Sequence, residues 1–115
     1  MLILCRVGDP VVADIKLQIT RSRKGLSEGW IWVPQLAPSE ELFRDYLWWR
    51  ERGEWPARWS EYRERFLEEM RETVPRRYLE RIRQRLAEGK SVALACFCRD
   101  ERYCHRRLVA ELVMG

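Results

Sequence analysis

The chain contains no asparagine, one histidine, and only three lysines among its 22 basic residues; the other 19 are arginine. Two physical readings of that bias stand side by side. Arginine without asparagine is the composition of heat-adapted surfaces built from ion-pair networks, and arginine is also the side chain suited to bidentate phosphate or carboxylate recognition. No apolar run approaches the roughly 20 residues that cross a membrane. The opening Met1-Leu2-Ile3-Leu4-Cys5-Arg6 has no basic stretch ahead of its apolar residues, which argues against a secretory leader and points to the cytoplasm. In a reducing compartment the four cysteines are ligands, reactive thiols or core packing rather than disulfides. The net charge of +4 comes from interleaved acids and bases, a mild balance for a nucleic-acid binder.

What is present fits one domain of 115 residues with a modest core. Residues 2–7 read as a first strand closed by Gly8-Asp9-Pro10, and 11–20 as a second extended segment. Trp30 to Pro34 is a short edge strand or a packed loop. Ser39 is a good N-cap for a helix whose stripe is Leu42, Phe43, Tyr46 and Leu47, ended by Gly53. Pro56 and Pro75 open two further helices, striped by Trp59, Tyr62, Phe66, Leu67 and Met70 and by Tyr78, Leu79, Ile82 and Leu86. Six tryptophans include the adjacent Trp48 and Trp49, of which at most one faces fully inward. Nearly continuous apolar character from Val92 to Phe97 indicates a strand covered on both faces. The order predicts an α/β fold: a single three-layer domain with a small parallel or mixed sheet flanked by about four helices.

Three of the four cysteines and the only histidine fall in Ser91–Arg107, SVALACFCRDERYCHRR, where the strand runs into a charged loop and then a helix start. Ligands and catalytic groups gather at such strand ends in α/β folds.

LAPSEELFRDY (Leu36–Tyr46), the helix Trp59–Phe66 and VALACFCRDERYCHRRL (Val92–Leu108), in that order, resemble the bacterial and archaeal proteins grouped as domain of unknown function 488. The resemblance spans roughly Ile15 to Val113. It implies a small single-domain α/β fold and supplies no reaction, substrate or cofactor. Cys96, Cys104, His105 and Arg106 match the family's strand-end signature. Where many relatives carry a carboxylate two residues past the strand cysteine, this chain has Cys98, which weakens an acid-base role there.

Three functions compete for the cluster. As a thiol-dependent enzyme, Cys104 would be the reactive thiol at a helix N-terminus, His105 would share its proton, and Arg106 with Arg102, Arg99 and Arg21 would hold a phosphate-bearing or other anionic ligand. The Cys96-x5-Arg102 spacing of a phosphatase loop is also there, but no glycine lets that loop wrap a phosphate. As a metal protein, Cys96, Cys98, Cys104 and His105 offer three sulfurs and one nitrogen to zinc. Helical neighbours Cys104 and His105 would diverge by about 100°, and Cys5 could then replace one of them. As a binding module, the arginines around residues 21–24 and 99–107 would read the phosphates of a nucleic acid beside stacking tryptophans. The expected site is the carboxyl end of strand 92–97, with Cys5 and Cys96 serving as core.

Overall fold

A computed structural model describes all residues 1–115. Four strands, β1 (Leu2–Arg6), β2 (Ile15–Gln18), β3 (Ile31–Trp32) and β4 (Val92–Cys96), form one sheet in the order β1-β4-β2-β3. Every neighbouring pair is parallel, with Leu4, Leu94 and Leu17 in one cross-strand row. Parallel strands need a crossover between them, and the longest one here carries α1 (Glu40–Glu51), α2 (Trp59–Glu69) and α3 (Thr73–Ala87) between β3 and β4. A last helix, α4 (His105–Met114), follows β4.

Strand alternation sorts the sheet residues into two clusters. On one face Leu17, Ile19, Val92 and Leu94 join Leu42 and Trp49 of α1, Tyr62 and Phe66 of α2, Leu79 and Ile82 of α3, and Leu108, Val109 and Val113 of α4. The opposite face holds Cys5, Ala93 and Ala95, covered by Ile3, Val7, Val11, Ala13 and Trp30. All four helices therefore share one side, and the third of the three expected layers is loop rather than helix. The small side chains of Ala93 and Ala95 let that loop lie close. β4 is buried along its whole length, as its unbroken apolar run requires.

Ser39 caps α1 by accepting from the Leu42 amide, and its own hydroxyl and amide donate to Glu69 at the end of α2. One residue thus ties the start of one helix to the end of the next. Gly53, at φ 72°, supplies the left-handed turn that ends the first helix. The second helix begins at Trp59 rather than Pro56. Pro56 instead lies in the turn after Trp55, whose ring packs edge-on against Tyr46 and Tyr62. Pro75 sits inside the first turn of α3, which begins at Thr73. Of the paired tryptophans, Trp49 is buried, and Trp48 lies exposed beneath the Arg52 guanidinium. No helix is long and apolar enough to cross a membrane.

Candidate functional site

The site lies where β4 ends against the first turn of α4. Cys96 shares the face of Val92 and Leu94, so its thiol points to the helices, whereas Cys5 points to the other side of the sheet and approaches the Leu94 carbonyl. Sheet parity thus removes Cys5 from the cluster. The Sγ of Cys96 stands 3.8 Å from Cys98 Sγ and 3.7 Å from Nδ1 of His105. Cys104 Sγ is 3.9 Å from the same nitrogen. The expected divergence of Cys104 and His105 does not arise, because Cys104 is the N-cap in extended conformation, φ −135° and ψ 144°, and only His105 is helical. The donor atoms of Cys96, Cys104 and His105 all lie within 4.8 Å of one another, and all three residues are buried.

One contact settles the histidine tautomer. Nε2 of His105 meets the backbone carbonyl of Ile19 at the end of β2. A carbonyl only accepts, so Nε2 carries the hydrogen and Nδ1 presents a lone pair to the two thiols. Full burial holds the imidazole below its ordinary 6.5, neutral at pH 7. Hydrogen bonds from Cys104, then from Cys98, hold the Cys96 thiol well below its ordinary 9.0, outweighing burial; the Arg106 charge adds to this. Cys104, on the donating side of that bond, is pushed far up, and burial raises it further. Cys98 is raised: its bond with Cys104 lowers it, but its bond with Cys96 and its burial win.

Arg106 takes the far side of the cluster. Only 3% exposed, it donates from Nη1 to the Cys5 carbonyl at 2.6 Å, and its Nε has no partner. It reaches neither Glu111 nor Asp100, and no carboxylate balances it. The nearby anion it can favour is a thiolate on Cys96.

A cavity of about 420 Å³ opens on this corner, within the size range of small-ligand sites. Cys96, Cys98 and His105 form its floor, Phe43, Tyr46, Trp55, Tyr62 and Tyr103 its aromatic sides, and Arg21, Arg50 and Arg99 its cations. Burial, then the charge on Cys98, raises the Tyr46 phenol to about 12. Burial drives Tyr62 well up, so both hydroxyls stay protonated and able to donate. Gln18, buried beneath the rim, donates to Thr20 Oγ1 and to the carbonyls of Ser22 and Lys24, pinning the loop that carries Arg21.

Of the residues singled out from the sequence, Cys96, Cys98, His105, Arg21 and Arg99 line this cavity. Cys104 lies behind the floor, 1% exposed, and Arg106 points away from the opening. Arg102 turns outward onto Asp100 at 3.0 Å, so the Cys96-x5-Arg102 spacing forms no anion loop. The basic patch is broken up as well: Arg107 pairs with Glu111, and Arg23 lies over Trp32. Sequence reasoning missed Arg50 and took Tyr46 and Tyr62 for plain core. Their helical spacing signalled an inward face without revealing that this face borders a cavity.

A family model described as DUF488-N3a, active DUF488-N3 subclade, matches residues 2–114. No curated protein and no solved structure matches the chain.

Proposed function

The chain belongs to the domain of unknown function 488 family, and from that premise we propose that it is a thiol-dependent enzyme, with Cys96 as nucleophile and His105 as its proton acceptor, acting on an anionic ligand in the aromatic cavity. The observation that carries this reading is the bare Nδ1 of His105, fixed by the Nε2–H bond to Ile19 and standing 3.7 Å from Cys96 Sγ. A base oriented by a third group beside a nucleophile is the arrangement that activates thiols and hydroxyls in covalent catalysis. The Cys104 chosen from sequence becomes a supporting donor, since it is buried behind Cys96 and its proton stabilises the neighbouring sulfur. Arg106 is a positioning residue whose uncompensated charge favours the thiolate. Arg21 and Arg99 keep their anion-binding role, joined by Arg50. The description of the matched subclade as active accords with this reading.

The step this set would perform is a nucleophilic displacement. A lone pair on Cys96 sulfur forms a bond to an electrophilic centre of the ligand while the thiol proton passes to Nδ1. The leaving group departs with the bonding pair and takes that proton. Water then attacks the sulfur-bound group, giving its proton to Nδ1, and the released sulfur takes it back.

A second reading has its own observation. Sulfur and nitrogen ligands of tetrahedral zinc, bound at about 2.3 and 2.0 Å, lie about 3.5–3.8 Å apart. The separations of 3.7–3.9 Å come near that, and a histidine donating its other N–H to a carbonyl is the usual outer support of a zinc ligand. Cys96, Cys104 and His105, with Cys98 toward the cavity, would then hold the metal. One experiment separates the two readings: purified protein is assayed for bound metal and titrated with iodoacetamide across pH, with the labelled cysteine located by mass spectrometry. The enzyme reading expects no stoichiometric metal and first labelling at Cys96, at a pH well under 9. One zinc per chain that blocks labelling would overturn it in favour of the metal site. Preferential labelling of Cys104 or Cys98 would refute the assignment of the nucleophile.

A further inference from the structure

We infer that the ligand of this cavity is a nucleoside 5′-phosphate, with its heterocyclic ring among the aromatic side chains and its phosphate on Arg50 and Arg99; this rests on the proposed function and narrows its substrate class. The cavity combines two features that most small anions do not need together. Its aromatic side draws on α1, α2 and the turn between them, where Trp55 stands edge-on to both Tyr46 and Tyr62 at centroid distances of 4.8 and 5.4 Å. Such a wall offers ring faces and edges to a planar heterocycle, and stacking of this kind is strong and tolerant of base identity.

The cationic side is unspent. Several arginines elsewhere on the surface, Arg52, Arg58, Arg65, Arg85 and Arg102, are held by carboxylates at 2.8–3.1 Å, while others such as Arg44, Arg76, Arg77 and Arg81 stand unpaired but do not line this cavity. Arg50 and Arg99 enter no ion pair, and Arg21 has only a long 3.9 Å approach to the exposed Glu40. The one acid lining the cavity, Asp100, is already neutralised by a two-pronged contact from Arg102. Net positive charge therefore faces the cavity, offset only by the Cys96 sulfur on its floor and the exposed Glu40 beside Arg21. Arg50 lies over the Tyr46 ring at 5.5 Å, which joins the two features in one place. A sugar phosphate would leave the aromatic side unused, and a free nucleoside would leave the arginines unpaired. A nucleotide satisfies both.

The test is calorimetric titration of the wild-type protein and of Cys96→Ser with the four common nucleoside monophosphates, the matching nucleosides, ribose 5-phosphate and inorganic phosphate. At least one nucleotide is expected to bind about tenfold or more tighter than its nucleoside and than ribose 5-phosphate. Its affinity should fall as salt is raised. The Arg50→Ala/Arg99→Ala double variant alters two exposed residues, so circular dichroism should stay unchanged while the nucleotide's advantage over its nucleoside disappears. Ribose 5-phosphate binding as tightly as every nucleotide, nucleosides binding as tightly as nucleotides, or no binding by any of these probes would each overturn the inference. Because binding is also read on Cys96→Ser, the two ideas fail separately. Nucleotide binding by a protein with an unreactive Cys96 would sink the enzyme reading alone. A labelled, low-pH Cys96 in a protein that binds no nucleotide would sink only the nucleotide.

Discussion

Replacing His105 separates two jobs that one ring performs, holding β2 to α4 through Nε2 and offering a base through Nδ1. Alanine at this position leaves the buried Ile19 carbonyl without a donor, a loss of about 1–3 kcal/mol. It also removes a ring packed 5.6 Å from Phe66, centroid to centroid, adding a cavity term and bringing the total to about 3–5 kcal/mol. For a domain of this size that lowers the melting temperature by roughly 12–20 °C. Glutamine is different, because its amide N–H reaches about as far as Nε2 and can still donate to Ile19. His105→Gln should lose only about 1 kcal/mol, or about 4 °C. Both variants lack the Nδ1 lone pair that takes the thiol proton, so both should slow Cys96 alkylation across the pH profile by the same factor. Thermal melts followed by circular dichroism supply the first readout and site-resolved iodoacetamide labelling the second. Equal destabilisation by glutamine and alanine would refute the structural half of the argument. A labelling profile for His105→Gln that overlays the wild type would refute the chemical half.

Stability should also depend on pH in a defined direction. The His105 pKa is depressed in the folded chain, so below about 6.5 the unfolded chain takes up a proton that the folded chain refuses. Urea midpoints should therefore fall on acidification below that pH, by at most about 1.4 kcal/mol per unit from this group, and this share should vanish in His105→Gln. Cys104 has the opposite sign: its raised pKa keeps it protonated when folded, so its contribution is intact below pH 9 and lost as the pH rises beyond it. Stability that rises steadily from pH 9 to 11 in the wild type, relative to Cys104→Ser, would contradict that. Arg106→Met removes a buried, unbalanced cation, so it should raise the pH of Cys96 labelling while changing stability by less than about 2 kcal/mol; an unchanged profile would end the positioning role. Ser39→Ala, which loses the cap of α1 and the donors to Glu69, should cost about 1–2 kcal/mol in urea unfolding. A loss under about 0.3 kcal/mol would show the link to be idle.

Much of the fold was legible because its signals are local. The unbroken apolar run of Val92–Cys96 announced a strand buried on both faces. Ser39 and Gly53 marked the ends of the first helix through hydrogen-bond and backbone chemistry that needs no distant partner. Pro56 misled because its fixed φ suits a turn as well as a first helical turn, and packing of Trp55 against Tyr46 and Tyr62 chose the turn. The meeting of Cys96, Cys98, Cys104 and His105 at the end of β4 was equally legible from a strand running through cysteines into a helix start.

By itself the sequence determined a small α/β domain, the strand and helix faces that must be buried, and the corner at which cysteine, histidine and arginine meet. Tertiary structure alone decided which thiol is which. Strand parity directed Cys96 toward the helices and Cys5 away from them, and the extended cap conformation brought Cys104 to the same nitrogen as Cys96. The Ile19 carbonyl, 86 residues from His105 along the chain, fixed the tautomer, and the uncommitted Arg50 joined the cavity from a helix read only as core-facing. Periodicity states which way a side chain points. What it meets there depends on contacts between residues far apart in the chain, and those contacts, not the residue types alone, set the charge and proton of each group in the site.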